Sequence, residues 1–182
     1  MAFNQNQPRD KNGRWSPVGA YISEEGFEMN NLARQGYGDE DDRITGLDAI
    51  IEKQKTPYNG PLYRGMDNQF TEWAEIETNS RFDDNDLEID DLVGIEFTDA
   101  AFSSVSTDAD LALDFATRGT GRGTYMVITK STNSLDVSDV MGADVNWQEE
   151  RILPRNTTFK ITSAKTMEMN GNDILYLEAE AY

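Results

Sequence analysis

The 182-residue chain has room for one domain of ordinary size, and its 37% hydrophobic and 10% aromatic content suits a packed globule. It contains no Cys and no His, which excludes disulfides, Cys/His zinc sites, Cys nucleophiles and Ser-His triads, and leaves acid–base work to carboxylates, Tyr and Lys. Sixteen Lys and Arg stand against 34 Asp and Glu, a net charge of −18, and residues 20–110 hold 23 acidic against 6 basic groups. Such a field repels phosphate backbones and anionic membranes and suits a basic partner.

The opening Met1–Pro8 is polar and lacks the basic and apolar regions of a secretory signal; residues 1–19 read as a flexible arm and residues 20–182 as a single domain. From Ser23 to about Gln35 the residues favour a helix. Ile44, Leu47, Ile50 and Ile51 recur at amphipathic spacing in a second helix, which runs to about Lys55 and is stopped by Thr56–Pro61. Leu62-Tyr63 is a short apolar piece leading into Arg64-Gly65, and Phe70, Trp73 and Ile76 or Glu77 suggest a further helical stretch. Beyond the acidic run Asp83–Asp86 the pattern turns to short β-like runs: Leu92–Phe97, Ala101–Val105, Tyr125–Thr129, Arg151–Leu153, Thr158–Ile161 and Ile174–Leu177. One helix interrupts them, from about Asp108 to Ala116, with Thr107 or Asp108 as N-cap and Leu111, Ala112 and Phe115 on its apolar face. Helices first and strands later predict an α+β fold.

Three constellations could carry chemistry. Tyr63-Arg64-Gly65 offers a guanidinium fork for phosphate or carboxylate beside a residue that permits close approach to the backbone; read alone, it is equally a surface turn. In Phe102-Ser103-Ser104-Val105-Ser106-Thr107, period two puts Ser104 and Ser106 on one face of a strand, and the plain alternative is a strand edge running into a helix cap. In Trp147-Gln148-Glu149-Glu150-Arg151, Gln148 and Glu150 share one face of an extended segment and Glu149 takes the other, a pattern also found at solvated strand ends. The acidic runs Asp39–Asp42 and Asp83–Asp91 lack EF-hand spacing and read as solvated faces, so no metal is expected.

As an ordered set, these residues resemble the Arg-Ser-Glu class of mono-ADP-ribosyltransferases, which spans clostridial Rho-modifying exoenzymes and the Alt and Mod enzymes of T-even bacteriophages. Tyr63-Arg64-Gly65 is similar to the first motif of that class. Phe102-Ser103-Ser104-Val105-Ser106 resembles its aromatic-x-Ser-Thr-Ser, with Val105 in place of Thr, and Gln148-Glu149-Glu150 with Ile152-Leu153-Pro154 resembles the catalytic turn and its strand. The likeness covers about Pro61 to Ile161. It implies a split mixed β core of two small sheets flanked by N-terminal helices, with NAD+ as co-substrate in the cleft between them. Cleaving the nicotinamide–ribose bond creates an oxocarbenium-like centre that a carboxylate stabilises. By this carry-over Glu150 is that carboxylate, Ser104 positions it, Arg64 holds the phosphate and ribose side, Gly65 receives the nicotinamide amide, and Ser106 supports. Arg118 and Arg122, in the loop Thr117–Gly123, become candidate pyrophosphate contacts, although a loose hairpin approach explains that loop as well.

Gln148 stands where arginine-modifying members of the class carry Glu, so arginine is the less favoured acceptor. The resulting expectation is a monomeric mono-ADP-ribosyltransferase acting on a host protein, with nucleic acid less favoured and no membrane partner. It is placed in a bacterial (host) cytoplasm as a phage or bacterial effector. Carriage in a virion is suggested by Gln7–Trp15, which looks like linkers of phage structural proteins. The rival readings are an NAD glycohydrolase, and an acidic nucleic-acid mimic on a degenerate transferase fold.

Overall fold

The computed structural model describes residues 10, 12, 14, 16–66, 89–118, 123–131, 133–144, 149–169 and 171–182. The chain enters the domain at Ser16, whose hydroxyl accepts from Gly19 N and caps a short helix α1 (Pro17–Tyr21) that has proline at its first position. Every residue of α1 is buried, so the expected arm over residues 1–19 ends before Ser16: Pro17, Val18 and Gly19 belong to the core. Helices α2 (Glu25–Arg34) and α3 (Asp42–Gln54) follow close to the ranges read from sequence. Asp41 caps α3 by accepting from Arg43 N and Ile44 N, and Ile44, Leu47 and Ile51 form its buried stripe.

Strands β1 (Leu62–Met66), β2 (Glu96–Asp99) and β3 (Ser103–Ser106) precede helix α4 (Ala109–Thr117). Then come β4 (Thr124–Lys130), β5 (Leu135–Asp136), helix α5 (Val137–Met141), β6 (Glu150–Leu153), β7 (Thr157–Met169) and β8 (Asn172–Ala181). The strand expected over Leu92–Phe97 begins only at Glu96, because Leu92 ends a 3-10 turn and Gly94 takes a φ of +92°, which strand geometry excludes. The helical stretch expected around Phe70–Glu77 lies outside the described residues.

The strands are ordered β2-β7-β8-β4-β1-β3-β6-β5, with β4 and β8 parallel and the other neighbours antiparallel. The strands form one eight-stranded sheet, and the expected division into two small sheets shows only as a weak β1–β3 junction with a single registered pair, Tyr63 with Ser106. On one side lie five strands and on the other three. Helices α1–α3 and α5 pack on the three-strand half through Val18, Met29, Leu47, Phe102, Leu135 and Ile152. A second cluster, including Leu62, Phe97, Ile128, Phe159 and Leu177, fills the five-strand half and receives Val105 and Leu153 from the other. Alternation along β6 therefore sends Ile152 to one core and Leu153 to the other.

Helix α4 is capped by Asp108, the second of the two candidates, and lies against β1 and β4. Ala112 and Ala116 are its buried residues, whereas Leu111 and the 37% exposed Phe115 turn to a cleft instead of the core. The close approach of α4 to β1 depends on Gly65, where a Cβ would overlap the Ala112 carbonyl oxygen and stand 2.8 Å from both Ala116 N and Phe115 Cβ. Neither the helix backbone nor the strand can yield cheaply, so Gly65→Ala should destabilise the fold by about 1–3 kcal/mol, the usual range for overpacking. Urea unfolding of the variant measures this, and an unchanged midpoint would contradict it.

Candidate active site

Beyond the Tyr63–Ser106 pair, β1 and β3 part and leave a cleft of about 250 Å³ lined by residues that include Tyr63, Arg64, Gly65, Ser104, Ser106 and Glu150. Three of the sequence motifs meet there for a topological reason: β1 brings Arg64, β3 brings Ser104, and β6, paired with β3, brings Glu150 opposite Ser106. Ser104, Ser106 and Glu150 share the face that turns toward α1. Val105 points the other way and is buried, which explains why an apolar residue serves there.

The Ser104 hydroxyl donates to Glu150 Oε1 at 2.6 Å, a length typical of a charge-assisted bond. Its oxygen also lies 3.1 Å from the Tyr21 hydroxyl, which Asn30 Nδ2 reaches at 3.2 Å. The Tyr21 hydroxyl has the Phe102 carbonyl oxygen as its acceptor at 3.3 Å, and Asn30 donates to that hydroxyl. Tyr21 is fixed edge-on to Phe102, with ring centroids 5.5 Å apart. Desolvation pushes the Tyr21 hydroxyl above its ordinary pKa and keeps it a neutral donor.

Glu150 is also held through its neighbours in the chain. Glu149 adopts a φ of +47°, unusual for a side chain with a Cβ, and is clamped by Thr107, whose Oγ1 donates to Glu149 Oε2 at 2.6 Å and whose N donates to Glu149 O at 3.2 Å. The extended reading of this segment is therefore corrected at Glu149, where the backbone turns before β6 begins. On the other side, Arg151 is buried and donates to Ser134 Oγ (2.8 Å), Asp136 Oδ2 (3.0 Å) and Thr56 Oγ1 (2.9 Å). A rigid strand start thus presents Glu150 to the cleft.

Arg64 reaches the same cleft, with its Nη1 3.8 Å from Asp99 Oδ2. Burial pushes its pKa down and the Asp99 carboxylate opposes that shift; a guanidinium remains charged throughout. Gly65 lines the cleft, but the nearest need for a glycine there is the packing of α4 rather than a ligand. Ser106 Oγ accepts from Asp108 N and joins β3 to the start of α4. Arg118 ends α4 and stacks its guanidinium over Phe115, 4.2 Å from the ring centroid, beside the cleft rather than in its wall. Gln148 and Arg122 lie outside the described residues. Sequence reasoning missed Tyr21, Asn30 and Asp99, which act through partners distant in sequence and belong to no local pattern, and it read Thr107 as a helix cap candidate rather than as the clamp on Glu149.

A split mixed sheet with an arginine, a serine-held glutamate and an aromatic wall in one cleft defines the class of NAD+-dependent Arg-Ser-Glu transferases. Residues 16–182 match the family model described as ADP-ribosyltransferase exoenzyme, and the chain belongs to that family. It is accordingly an ADP-ribosyltransferase that uses NAD+ as co-substrate. No curated protein matches the sequence significantly. Among solved structures, the fold is similar to Plx2a, an ADP-ribosyltransferase toxin from Paenibacillus larvae, at 20% identity and a TM-score of 0.66, over 90% of this chain and 82% of that one. It is similar to the ADP-ribosyltransferase Vis of Vibrio splendidus in complex with agmatine, at 17% identity and a TM-score of 0.61, over 91% and 72%. It is also similar to exoenzyme S of Pseudomonas aeruginosa, solved with human 14-3-3 protein beta and carba-NAD, at 20% identity and a TM-score of 0.54, over 89% and 72%.

Desolvation is the largest influence on Glu150 and raises its pKa above 4.5, while the Ser104 hydrogen bond works against it. A carboxylate whose folded pKa is raised favours folding below its unfolded pKa, and that contribution disappears as pH rises through the folded value. Glu150→Gln should therefore be more stable than the wild type at pH 7 and lose this advantage below about pH 4.5. Ser104→Ala should raise the Glu150 pKa further and move the acid limb of NAD+ cleavage to higher pH. Thermal melts and a pH–rate profile of nicotinamide release test the pair, and an acid limb that stays in place would remove Ser104 from its role.

Proposed function

We propose that this protein transfers a single ADP-ribose from NAD+ to a protein acceptor in a bacterial cytoplasm, as an effector of phage or bacterial origin. The observation that carries the reading is the 2.6 Å Ser104–Glu150 hydrogen bond in the cleft that Arg64 also lines. The Arg64 fork suits the anionic diphosphate, and the aromatic and apolar wall of Tyr63, Leu111 and Phe115 suits the flat nicotinamide ring. A cleft of about 250 Å³ is smaller than the roughly 300–1,000 Å³ of pockets that enclose a whole drug-sized ligand, so it suits the nicotinamide–ribose end while the rest of NAD+ lies along the surface.

In this reading Glu150, held ionised by Ser104, stabilises the positive charge that grows on the ribose as the nicotinamide–ribose bond breaks. Nicotinamide leaves with the bonding electron pair, the acceptor nucleophile bonds to the ribose carbon, and the acceptor gives up a proton. Arg64 keeps the diphosphate fixed so that the ribose stays beside the carboxylate. The acidic excess of 34 to 16 supports a basic protein surface as acceptor and speaks against a nucleic acid. Exoenzyme S, similar in fold, was solved with a protein partner, 14-3-3 beta, which supports a protein as the acceptor to try first; Vis, solved with agmatine, makes a guanidine compound the comparison, one that Gln148 disfavours.

The decisive experiment incubates the protein and its Glu150→Gln variant with tagged NAD+ and bacterial lysate, following labelled macromolecules and free nicotinamide. Labelled protein should appear with the wild type and fall at least about a hundredfold with the variant, the scale of losing one preorganised electrostatic partner. Nicotinamide without labelled protein would make the chain a glycohydrolase. Neither product from a folded protein would favour the acidic-mimic reading. Carriage in a virion rests on residues 7–15 alone, and purified particles without the chain by mass spectrometry would remove that part.

A further inference from the structure

Thr107 follows the last residue of β3 and precedes Asp108, which caps α4 by accepting from Asp110 N and Leu111 N. With the cap supplied by Asp108, the Thr107 hydroxyl is left for another partner, and it donates to Glu149 Oε2 at 2.6 Å. The Thr107 N–H donates to the Glu149 carbonyl oxygen at 3.2 Å. That carbonyl belongs to the peptide joining Glu149 to Glu150, one step beyond the Ser106–Glu150 pair that ends the β3–β6 register. Glu149 has a φ of +47°, a conformation that a residue with a Cβ keeps only where its surroundings hold it.

One residue thus grips both the side chain and the backbone of the residue before Glu150. Without the side-chain bond Glu149 is free to return to a negative φ, and the peptide that carries Glu150 turns with it. We infer that Thr107 is a positioning residue for the reaction: through Glu149 it fixes the rotation of the Glu149–Glu150 peptide, and with it the place of the Glu150 carboxylate beside the ribose. The grip also spans the weak junction of the sheet. Strands β1 and β3 share one registered pair, whereas α4, which begins at the Thr107 corner, lies against β1 and passes closely over Gly65. Ser106 Oγ, accepting from Asp108 N, ties that corner to the end of β3. Glu150 is thereby referred to the helix that rests on the strand of Arg64. Neither Thr107 nor Glu149 lines the cleft, so their effect passes through Glu150 rather than through binding of the co-substrate. The inference rests on the reading of Glu150 as the carboxylate that stabilises the ribose charge.

The test measures nicotinamide release against NAD+ concentration on the full chain. Thr107→Val keeps the shape and the N–H but removes the hydroxyl; kcat should fall about tenfold, with KM for NAD+ within about twofold of the wild type, the pattern of a misplaced reacting group rather than of a lost binding contact. Thr107→Ser, which keeps the hydroxyl, should hold kcat within about threefold of the wild type. Glu149→Met removes the acceptor from the other side and should match Thr107→Val. Because each change breaks the same bond, the double variant should lose no more than about a further twofold. Glu149→Gln keeps an acceptor oxygen and should stay within about threefold of the wild type. A folded Thr107→Val with wild-type kcat, or losses that multiply in the double variant, overturns the proposal. So does a Glu149→Gln variant as slow as Glu149→Met, since charge and not the clamp would then be what Glu149 supplies. Should Thr107→Val melt below the assay temperature, the exposed Glu149 carries the test alone, and equal kcat for Glu149→Met and the wild type overturns the proposal. A wild-type chain that releases no nicotinamide would instead overturn the reading of Glu150, and the inference with it.

Discussion

Strands β1 and β3 meet in register at Tyr63 and Ser106 and then diverge, and the chemistry of the molecule depends on that divergence. A continuous ladder would have closed the gap with backbone hydrogen bonds. Parting after one pair leaves a cleft whose walls are rigid sheet on both sides, so side chains on β1, β3 and β6 are aimed by strand geometry rather than by loops. Two cores support the halves: the helices pack on the three-strand side, and the strand-rich cluster fills the five-strand side while taking Val105 and Leu153 from the other.

The cleft collects charge where burial makes charge expensive, and the surrounding residues act to offset that cost. Glu150 is desolvated and is met by Ser104; Asp99 is almost fully buried and is met by four donors; Arg64 is desolvated and is drawn by Asp99 from a distance. Breaking one partner in such a network leaves an uncompensated group, which is why these residues are coupled rather than additive. The positive φ of Glu149 fits the same pattern: a conformational cost next to Glu150 is balanced by the Thr107 clamp and by the buried anchor of Arg151.

Much of this was legible in the sequence, unevenly and for physical reasons. Local periodicity marked α3, which buries Ile44, Leu47 and Ile51 at three-to-four spacing; α2 was legible from helix-favouring residues, and α4 from its cap Asp108 and an apolar face of which Ala112 faces the core while Leu111 and Phe115 face the cleft. The short run at Thr158–Ile161 showed only the start of β7, whose remainder has no buried residue, and that at Ile174–Leu177 only the middle of β8, whose buried positions beyond it are the small Ala179 and Ala181. Helix α1 went unseen because five residues hold too little pattern, although Ser16-Pro17 is a recognisable start. Arg64, Ser104 and Glu150 stood out as an ordered set, whereas Tyr21 and Asp99 did not, since a lone Tyr and a lone Asp acquire meaning only through contacts 83 and 65 residues away in the chain.

The acidity of the chain bears on the cleft as well as on any partner. Several of its few arginines are engaged internally: Arg43 with Glu25, Glu28 and Asp41, Arg151 with Asp136, Arg155 with Asp39 and Asp48, and Arg34 with Asp99. Paired in this way, they contribute little positive potential at long range, and an anionic dinucleotide approaches against the field of a protein with net charge −18. Attraction must therefore be local, within the cleft, where a low dielectric strengthens a single guanidinium. Under that constraint the distance between Arg64 and Asp99 is consequential: a few tenths of an ångström closer, and the guanidinium that lines the cleft would be spent on the protein's own carboxylate.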